Sequence, residues 1–538
     1  MTGDEYFDNH VAVINGLEGY DMPVSAFTKY NLLDGSIRNN VAFEEKRTIA
    51  VQVPTWHPEN CIQCGICSFV CPHATIRPFL LTDEEVANAP MEFKSLPAMG
   101  KGVENMKYRI QVSPANCVGC GLCVVECPGK AGNKALEMVD INEKLDQEPL
   151  ADYLFKHTEY KTDYFPVDTV KGSQFAMPYF EVSGACPGCG ETPYYKLVSQ
   201  LFGRDMLVAN ATGCSMIYCS STPSTPFVND KNGEGVAWAN SLFEDNAEFG
   251  YGMALAQTYK EGRILETMEN NMDNVEPALK EAFEAYIAAH NDRDAQRAVA
   301  PTIKELAAKS DIEAVKALVD EDLVSKSIWI VGGDGWAYDI GYGGLDHVIA
   351  NNLNVNVLVL DTEVYSNTGG QSSKSSQASS IAKFAAGGKA TAKKDLGQIA
   401  MAYGHVYVAQ ISMGANKAQT LKALKEAESY DGPSLIIAYS PCAEHGIKGG
   451  LANHQRTQAK AVECGYVDLY RFDPRKEQPL TIDSKEPDYD KFNDFIMSET
   501  RYAQLPKLKG EKAYELFEKT KQDAQKRHKR LVHLAQNQ

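Results

Sequence analysis

VGGDGWAYDIGYGG (Val331–Gly344) and, one strand later, LDTEVYSNTGGQSS (Leu360–Ser373) decide how the larger part of this chain folds. Each begins where a short apolar run ends, SIWIVG (Ser327–Gly332) before the first and VNVLVLD (Val355–Asp361) before the second. Runs of that length, closed by glycine and polar residues, read as buried strands. Met206–Asn210, Val406–Ser412 and Ser434–Tyr439 are further candidates, with helical patterns between several of them. Strands alternating with helices imply an α/β fold built on a mostly parallel sheet. Open sheets of this kind bind ligands at the carboxyl ends of their strands. A Gly-Asp-Gly at one strand end and a polar Asp-Thr at the next suit Mg²⁺ and a diphosphate. Asp334 offers a carboxylate, Thr362 a hydroxyl and Val364 a backbone carbonyl, while Gly333 and Gly335 admit the phosphates. Mg²⁺ takes its remaining oxygens from phosphate and water. A lone GDG is commonly just a turn; two such motifs after two strands carry the signal. Tyr338, Tyr342 and the serines of QSSKSSQ (Gln371–Gln377) have no such pattern and read as surface or packing residues.

An internal repeat precedes this region. CIQCGICSFVCP (Cys61–Pro72) returns 56 positions later as CVGCGLCVVECP (Cys117–Pro128). Each copy is C-x2-C-x2-C-x3-C-P, in which three thiolates serve one iron–sulfur cluster and the fourth turns to the other. That rule groups Cys61, Cys64 and Cys67 with Cys127, and Cys117, Cys120 and Cys123 with Cys71. Gly65 and Gly121 let the backbone approach the sulfides, and Ile62, Ile66, Val118 and Leu122 keep water away. Zinc would take four ligands in separable pairs; two complete runs, each closed by Cys-Pro, fit two 4Fe–4S clusters instead.

The chain has 538 residues, too many for one core, and a composition of 44% hydrophobic and 23% charged residues that suits a soluble protein. Its 53 basic and 71 acidic side chains leave a net charge of −18, which argues against a nucleic-acid partner. No apolar run approaches a membrane span. The amino-terminal MTGDEYFDNH has neither a signal nor a transit character, so a cytoplasmic protein without a membrane partner is expected. Fourteen cysteines in tight clusters point to metal ligation rather than disulfides. Residues 1–55 show little periodicity and read as an extended linker. Residues 56–160 hold the repeat and 161–538 the α/β domain, with a helical insertion at about 254–325. The Lys/Glu-rich tail from 506 reads as a solvated helix.

A second set of cysteines is ambiguous by itself. Cys186 and Cys189 form CPGC, Cys214 follows VANAT, and Cys442 follows SLIIAYSP. This spacing suits structural zinc, a redox pair or a third cluster. Cys219 and Cys464 are left over and read as buried free thiols.

GACPGCGETPY (Gly184–Tyr194), NATGCSMIY (Asn210–Tyr218), GDGWAYDIGYGGLDHV (Gly333–Val348), LDTEVYSNTGGQ (Leu360–Gln371) and SPCAEHGI (Ser440–Ile447) settle the ambiguity by likeness. In this order, after a two-cluster ferredoxin module, they resemble the carboxy-terminal half of pyruvate:ferredoxin (flavodoxin) oxidoreductases. The resemblance implies a thiamine diphosphate-binding α/β fold behind a bacterial-type ferredoxin-like α+β domain with two 4Fe–4S clusters. It implies that Cys186, Cys189, Cys214 and Cys442 hold a third, proximal 4Fe–4S cluster, and that Asp334, Thr362 and the Val364 carbonyl hold Mg²⁺. Glu191, Cys214, Gly333, Asp334, Gly335, Trp336, Thr362, Glu363, Val364, Tyr365, Ser366 and Asn367 would line thiamine diphosphate, with Asn367 nearest the reacting carbon. The implied reaction is oxidative decarboxylation of pyruvate with coenzyme A, the electrons leaving through three clusters to ferredoxin or flavodoxin. Single-chain members carry a further amino-terminal half with the acid/base carboxylate and the substrate-gripping arginine. A partner subunit, or that half, is therefore expected, within a homo-oligomer of the complete enzyme. Other 2-oxoacids, a pure electron-transfer module and a zinc-stabilised interaction protein are the competing readings.

Overall fold

The computed structural model describes residues 2–290 and 292–537. Its cysteine-rich part carries five short strands: β1 (Gln52–Trp56), β2 (Ile76–Leu81), β3 (Leu96–Pro97), β4 (Lys107–Val112) and β5 (Leu136–Asp140). β1 pairs antiparallel with β5, and β2, β4 and β3 form a second antiparallel sheet in that order. The two cysteine runs adopt the same local structure. In each, a left-handed glycine, Gly65 at φ 74° and Gly121 at φ 75°, caps a short helix, Ile66–Phe69 or Leu122–Glu126. Only glycine takes that conformation without strain.

The rest is built on an eight-stranded sheet. Its strands are β6 (Met206–Ala211), β7 (Ala237–Ser241), β8 (Ser327–Gly333), β9 (Val355–Asp361), β10 (Tyr407–Ile411), β11 (Pro433–Tyr439), β12 (Tyr470–Phe472) and β13 (Leu480–Ile482). Spatial order is β13-β12-β10-β11-β9-β8-β6-β7, parallel from β10 to β7, with β12 and β13 antiparallel at one edge. The apolar runs alternate between the two faces. Trp329, Val331, Leu358, Leu360, Ile436 and Ala438 join one core, and Ile328, Ile330, Val357, Val359, Leu435 and Ile437 the other. Helices Thr192–Phe202 and Lys417–Glu428 cover the first face; Tyr342–Ala350 and Leu396–Met401 cover the second. Burial on both faces is why these strands lack polar alternation.

Helices lie between β7 and β8, where an insertion is expected, but they begin earlier. The helix Asn246–Asn271 starts on the sheet, where a Cβ on Gly250 would meet Ile330 Cγ1 at 2.4 Å, and then runs outward. With Pro277–Ala289 and Arg293–Ala307 it encloses a core of its own, including Ile264, Met268, Phe283 and Ile303. The tail differs from a solvated helix. Lys512–Gln536 buries Ala513, Phe517, Thr520, Ala524, His528 and Leu531, a stripe at helical spacing that its Lys/Glu content obscures. The amino-terminal segment is likewise not wholly extended. It holds helical turns at Phe7–Asn15 and Val24–Lys29, and it reaches the α/β part through Asn39 Nδ2 to Asn229 Oδ1 (2.8 Å) and Arg47 Nη1 to the Ser183 carbonyl (2.9 Å). Among the described residues no helix is long and apolar enough to cross a membrane.

Candidate active site and thiol clusters

Four neighbouring parallel strands end at one edge of the large sheet, and each delivers a residue singled out above. β6 leads through Gly213 to Cys214, β8 to Asp334, β9 to Thr362, and β11 through Ser440 and Pro441 to Cys442. Their lateral order is β11-β9-β8-β6, so Thr362 and Asp334 lie between the two cysteines.

At the centre, the Thr362 hydroxyl contacts Asp334 Oδ1 at 3.0 Å, the Val364 carbonyl at 3.0 Å and Ser366 Oγ at 2.9 Å. Ser373 donates to the other Asp334 oxygen at 2.5 Å. The carboxylate is buried with hydroxyls for neighbours and Asp361 close by; burial first, and then that second carboxylate, push the Asp334 carboxyl up. A carboxyl so placed ionises readily only beside a cation, and the hard oxygen donors around it suit Mg²⁺. The surroundings of Gly333 are open: a Cβ there would meet nothing nearer than the Leu360 carbonyl at 3.9 Å. Gly335 is tight, its Cβ position lying 2.5 Å from the Tyr365 ring. The open surface beside Gly333 and the Asp334 oxygens therefore fit a magnesium-bound diphosphate.

Two of the proposed lining residues turn elsewhere. Trp336 is fully buried, its indole wedged against Gly332 and Gly341, with Nε1 lacking a hydrogen-bond partner. Glu363, at φ 58°, points its carboxylate into a buried ionic group: Lys393 at 3.1 Å, Arg501 at 2.9 Å and the Tyr466 hydroxyl at 2.6 Å. Burial opposes its charge, but Lys393 and Arg501 win and hold the carboxyl low, at about 2. Lys393 also reaches Asp361 at 2.5 Å, so this group braces the strand end that carries Thr362. Asn367 lies exposed on the turn after Ser366, and Tyr365 donates to the Gly335 carbonyl at 3.3 Å.

The serine run corrects the surface-or-packing reading. Ser373, Ser375 and Ser376 are buried; Ser375 donates to Asp361 Oδ1 at 2.6 Å and Ser376 to the Glu363 carbonyl at 2.5 Å. Tyr338 is buried too, and donates to Asp361 Oδ2 at 3.0 Å. A run of small hydroxyl residues shortly after two glycines was the available signal. Its partners lie too far along the chain for spacing to reveal them.

The repeated-motif cysteines separate into two groups. Cys61, Cys64, Cys67 and Cys127 line one small void, with Trp56 and Tyr108; Cys71, Cys117, Cys120 and Cys123 line another, with His73 and Ile76. Burial, with help from neighbouring thiols, pushes Cys117 up to about 12 and Cys120 up to about 11. Backbone amides point at the sulfurs, Gly119 N at 3.4 Å from Cys117 Sγ and Ala135 N at 3.3 Å from Cys127 Sγ. Buried and half-buried thiols gathered in fours, two of them receiving amide hydrogens, fit cluster ligation, in which metal holds them as thiolates.

Cys186, Cys189, Cys214 and Cys442 also come together. Burial raises Cys214 far above an ordinary thiol, and Glu191, Cys442, Cys189 and Cys186 add to the rise in that order. Cys442 is pushed up to about 11, again by burial. Glu191 precedes the helix Thr192–Phe202; burial drives its carboxyl up to about 7 despite the nearby Tyr218 hydroxyl, and Oε2 has no hydrogen-bond partner. Cys219 and Cys464 stand apart, both buried in apolar cores. Among the described residues, no three His, Cys, Asp or Glu side chains converge tightly enough for a single metal ion.

The family model described as thiamine pyrophosphate enzyme, C-terminal TPP binding domain, matches residues 313–438, and the 4Fe-4S dicluster domain matches residues 57–131. A pyruvate:ferredoxin oxidoreductase of Moorella thermoacetica is 51% identical over 99% of this chain and 46% of its own length. A pyruvate-flavodoxin oxidoreductase of Klebsiella pneumoniae is 48% identical over 96% of this chain and 44% of its own. A solved 2-oxoglutarate:ferredoxin oxidoreductase from Magnetococcus marinus covers 48% of this chain and 64% of its own at a TM-score of 0.31 and 17% identity, a likeness too slight to add to these. The chain spans about half the length of the curated relatives it matches. By its matched thiamine pyrophosphate and dicluster domains, and by its identity to these relatives along nearly its whole length, the chain belongs to the pyruvate:ferredoxin/flavodoxin oxidoreductase family.

Proposed function

We propose that this chain is the cofactor- and cluster-bearing part of a cytoplasmic pyruvate:ferredoxin oxidoreductase. The reaction is oxidative decarboxylation of pyruvate with coenzyme A to acetyl-CoA and CO₂, with electrons leaving to ferredoxin or flavodoxin. Asp334, the Thr362 hydroxyl and the Val364 carbonyl would hold Mg²⁺, with Gly333, Gly335, Tyr365, Ser366 and Asn367 facing thiamine diphosphate. Cys186, Cys189, Cys214 and Cys442 would hold a proximal 4Fe–4S cluster, and the two repeat-derived sets one cluster each. Bound, the thiamine cofactor supplies the electron sink for decarboxylation and the clusters supply one-electron acceptors. The chain's own residues position these groups. Ser373 fixes the second Asp334 oxygen, and the first lies against the Thr362 hydroxyl, so the two would face the metal together. Glu191, buried with Oε2 unpartnered, would line the thiamine site.

The observation that carries this reading is the shared sheet edge. Donor and acceptor sites lie on neighbouring strands, with Cys214 beside Asp334 and Cys442 beside Thr362. A pure electron-transfer module would have no use for a buried carboxylate and hydroxyl there.

Because an acid/base carboxylate and a substrate-gripping arginine are expected from the other half, the chain alone should not turn over. Anaerobically reconstituted chain with pyruvate, coenzyme A and ferredoxin is expected to give no acetyl-CoA above background. Addition of the complementary half should restore it, within a homo-oligomer of the complete enzyme. Robust turnover by the chain alone would refute this division of labour.

A further inference from the structure

Lys196 is the outstanding buried charge that neither the thiamine site nor the cluster ligands use. It belongs to the helix Thr192–Phe202 of the α/β part and is 1% exposed. Its side chain crosses into the ferredoxin-like part, where Nζ donates to the carbonyls of Ser68 and, at 3.1 Å, Phe69. Those carbonyls close the helix Ile66–Phe69, which joins Cys67 to Cys71. Cys67 lines one thiol void and Cys71 the other. Lys196 makes no ion pair with any carboxylate among the described residues. The other cation near it, Arg77, is paired with Glu181. Burial lowers Lys196 to about 8, with Arg77 adding to the fall and Cys71 and Cys67 opposing it, and the two buried carbonyls that accept from Nζ favour its ammonium form.

We infer that Lys196 is a positioning residue that sets the reduction potentials of both repeat-derived clusters, its ammonium group standing between them as an unneutralised positive charge. This rests on the cluster assignment proposed above. Each cluster gains a negative charge on reduction. A fixed cation in a low-dielectric interior favours the reduced form, and burial prevents solvent and salt from screening it. Because it faces ligands of both sets, it raises both potentials together and leaves the downhill step between them in place. A purely structural role, tying two domains through two carbonyls, would not require a charge.

Lys196→Gln removes the charge and keeps a donor for the carbonyls; Lys196→Arg keeps both. The test is an anaerobic EPR-monitored redox titration of the full chain at pH 7, with iron and sulfide counted on each protein. In Lys196→Gln, both ferredoxin-type reduction equilibria should shift about tenfold toward the oxidised form, about 59 mV lower for one electron. The cluster of Cys186, Cys189, Cys214 and Cys442 should hold its potential, and Lys196→Arg should match the wild type. Full cluster content with unchanged potentials in Lys196→Gln would overturn the inference. Loss of iron in both variants would also overturn it, marking Lys196 as a structural tie. A wild-type chain without the two ferredoxin-type signals would instead overturn the cluster assignment, and the inference with it.

Discussion

Replacing Asp334 by alanine is expected to abolish magnesium-dependent thiamine diphosphate binding and to leave the iron content unchanged. Asp334 meets the Thr362 hydroxyl and, through it, the Val364 carbonyl. Loss of an outer partner of a metal ligand typically costs 10–100-fold in affinity, so removing a charged ligand should cost more than roughly 100-fold. Ser373→Ala, which removes only the hydrogen bond to the second Asp334 oxygen, should fall within that 10–100-fold range. Asp334→Asn separates charge from size: it keeps the side-chain volume and should bind as poorly as alanine. Thermal unfolding provides a second readout. At a cofactor concentration about 100 times its Kd, binding to the native state adds about 2.7 kcal/mol of stability. That increment should vanish in Asp334→Asn. The cofactor-free variant should be no less stable than the cofactor-free wild type, since a buried carboxylate repelled by Asp361 has gone. Stoichiometric cofactor in Asp334→Ala would refute the magnesium assignment.

Among the six cysteines outside the repeat, two classes of behaviour are expected. Cys214→Ala and Cys442→Ala should each lose one cluster, about four of about twelve irons per chain, and both repeat-derived clusters should stay reducible by dithionite. Cys219→Ala and Cys464→Ala should keep all the iron. Cys219 lies within the core of Tyr195, Tyr218 and Phe180, and Cys464 Sγ donates to the Ala461 carbonyl at 3.5 Å. Each truncation leaves a small cavity, and its cost should be limited to roughly 1–2 kcal/mol of stability, by the scale of other buried large-to-small changes. Anaerobic iron counting with EPR on the four variants decides this. A full proximal signal in Cys214→Ala, or its loss in Cys219→Ala, would overturn the ligand set.

What could be read in advance follows from how local each signal is. The two cysteine runs are legible because a cluster takes three of its ligands from a single turn, so spacing alone groups them. β8, β9 and β11 are legible because strands buried on both faces become continuous apolar runs. β7, AWANS, was missed because it is an edge strand with half-exposed side chains, and β12 and β13 because they have only three residues each. Asp334, Thr362 and Val364 stood out because each follows a strand end. Ser373 did not, since its contact with Asp334 spans 39 residues of intervening chain. Glu363 illustrates the opposite failure. It sits inside a motif but has a left-handed backbone that sends its carboxylate to Lys393 and Arg501, a destination set by tertiary burial. Lys196 was silent for the same reason, as one lysine in an apolar helix whose partners come from another part of the fold.

The most direct test of the central claim is an anaerobic count of iron, acid-labile sulfide and thiamine diphosphate on the full chain, purified and reconstituted with Mg²⁺. Expected are about twelve irons with an equal amount of sulfide, three 4Fe–4S clusters in all, and one thiamine diphosphate per chain. Zinc in place of iron, or about eight irons with no retained thiamine diphosphate, would contradict it.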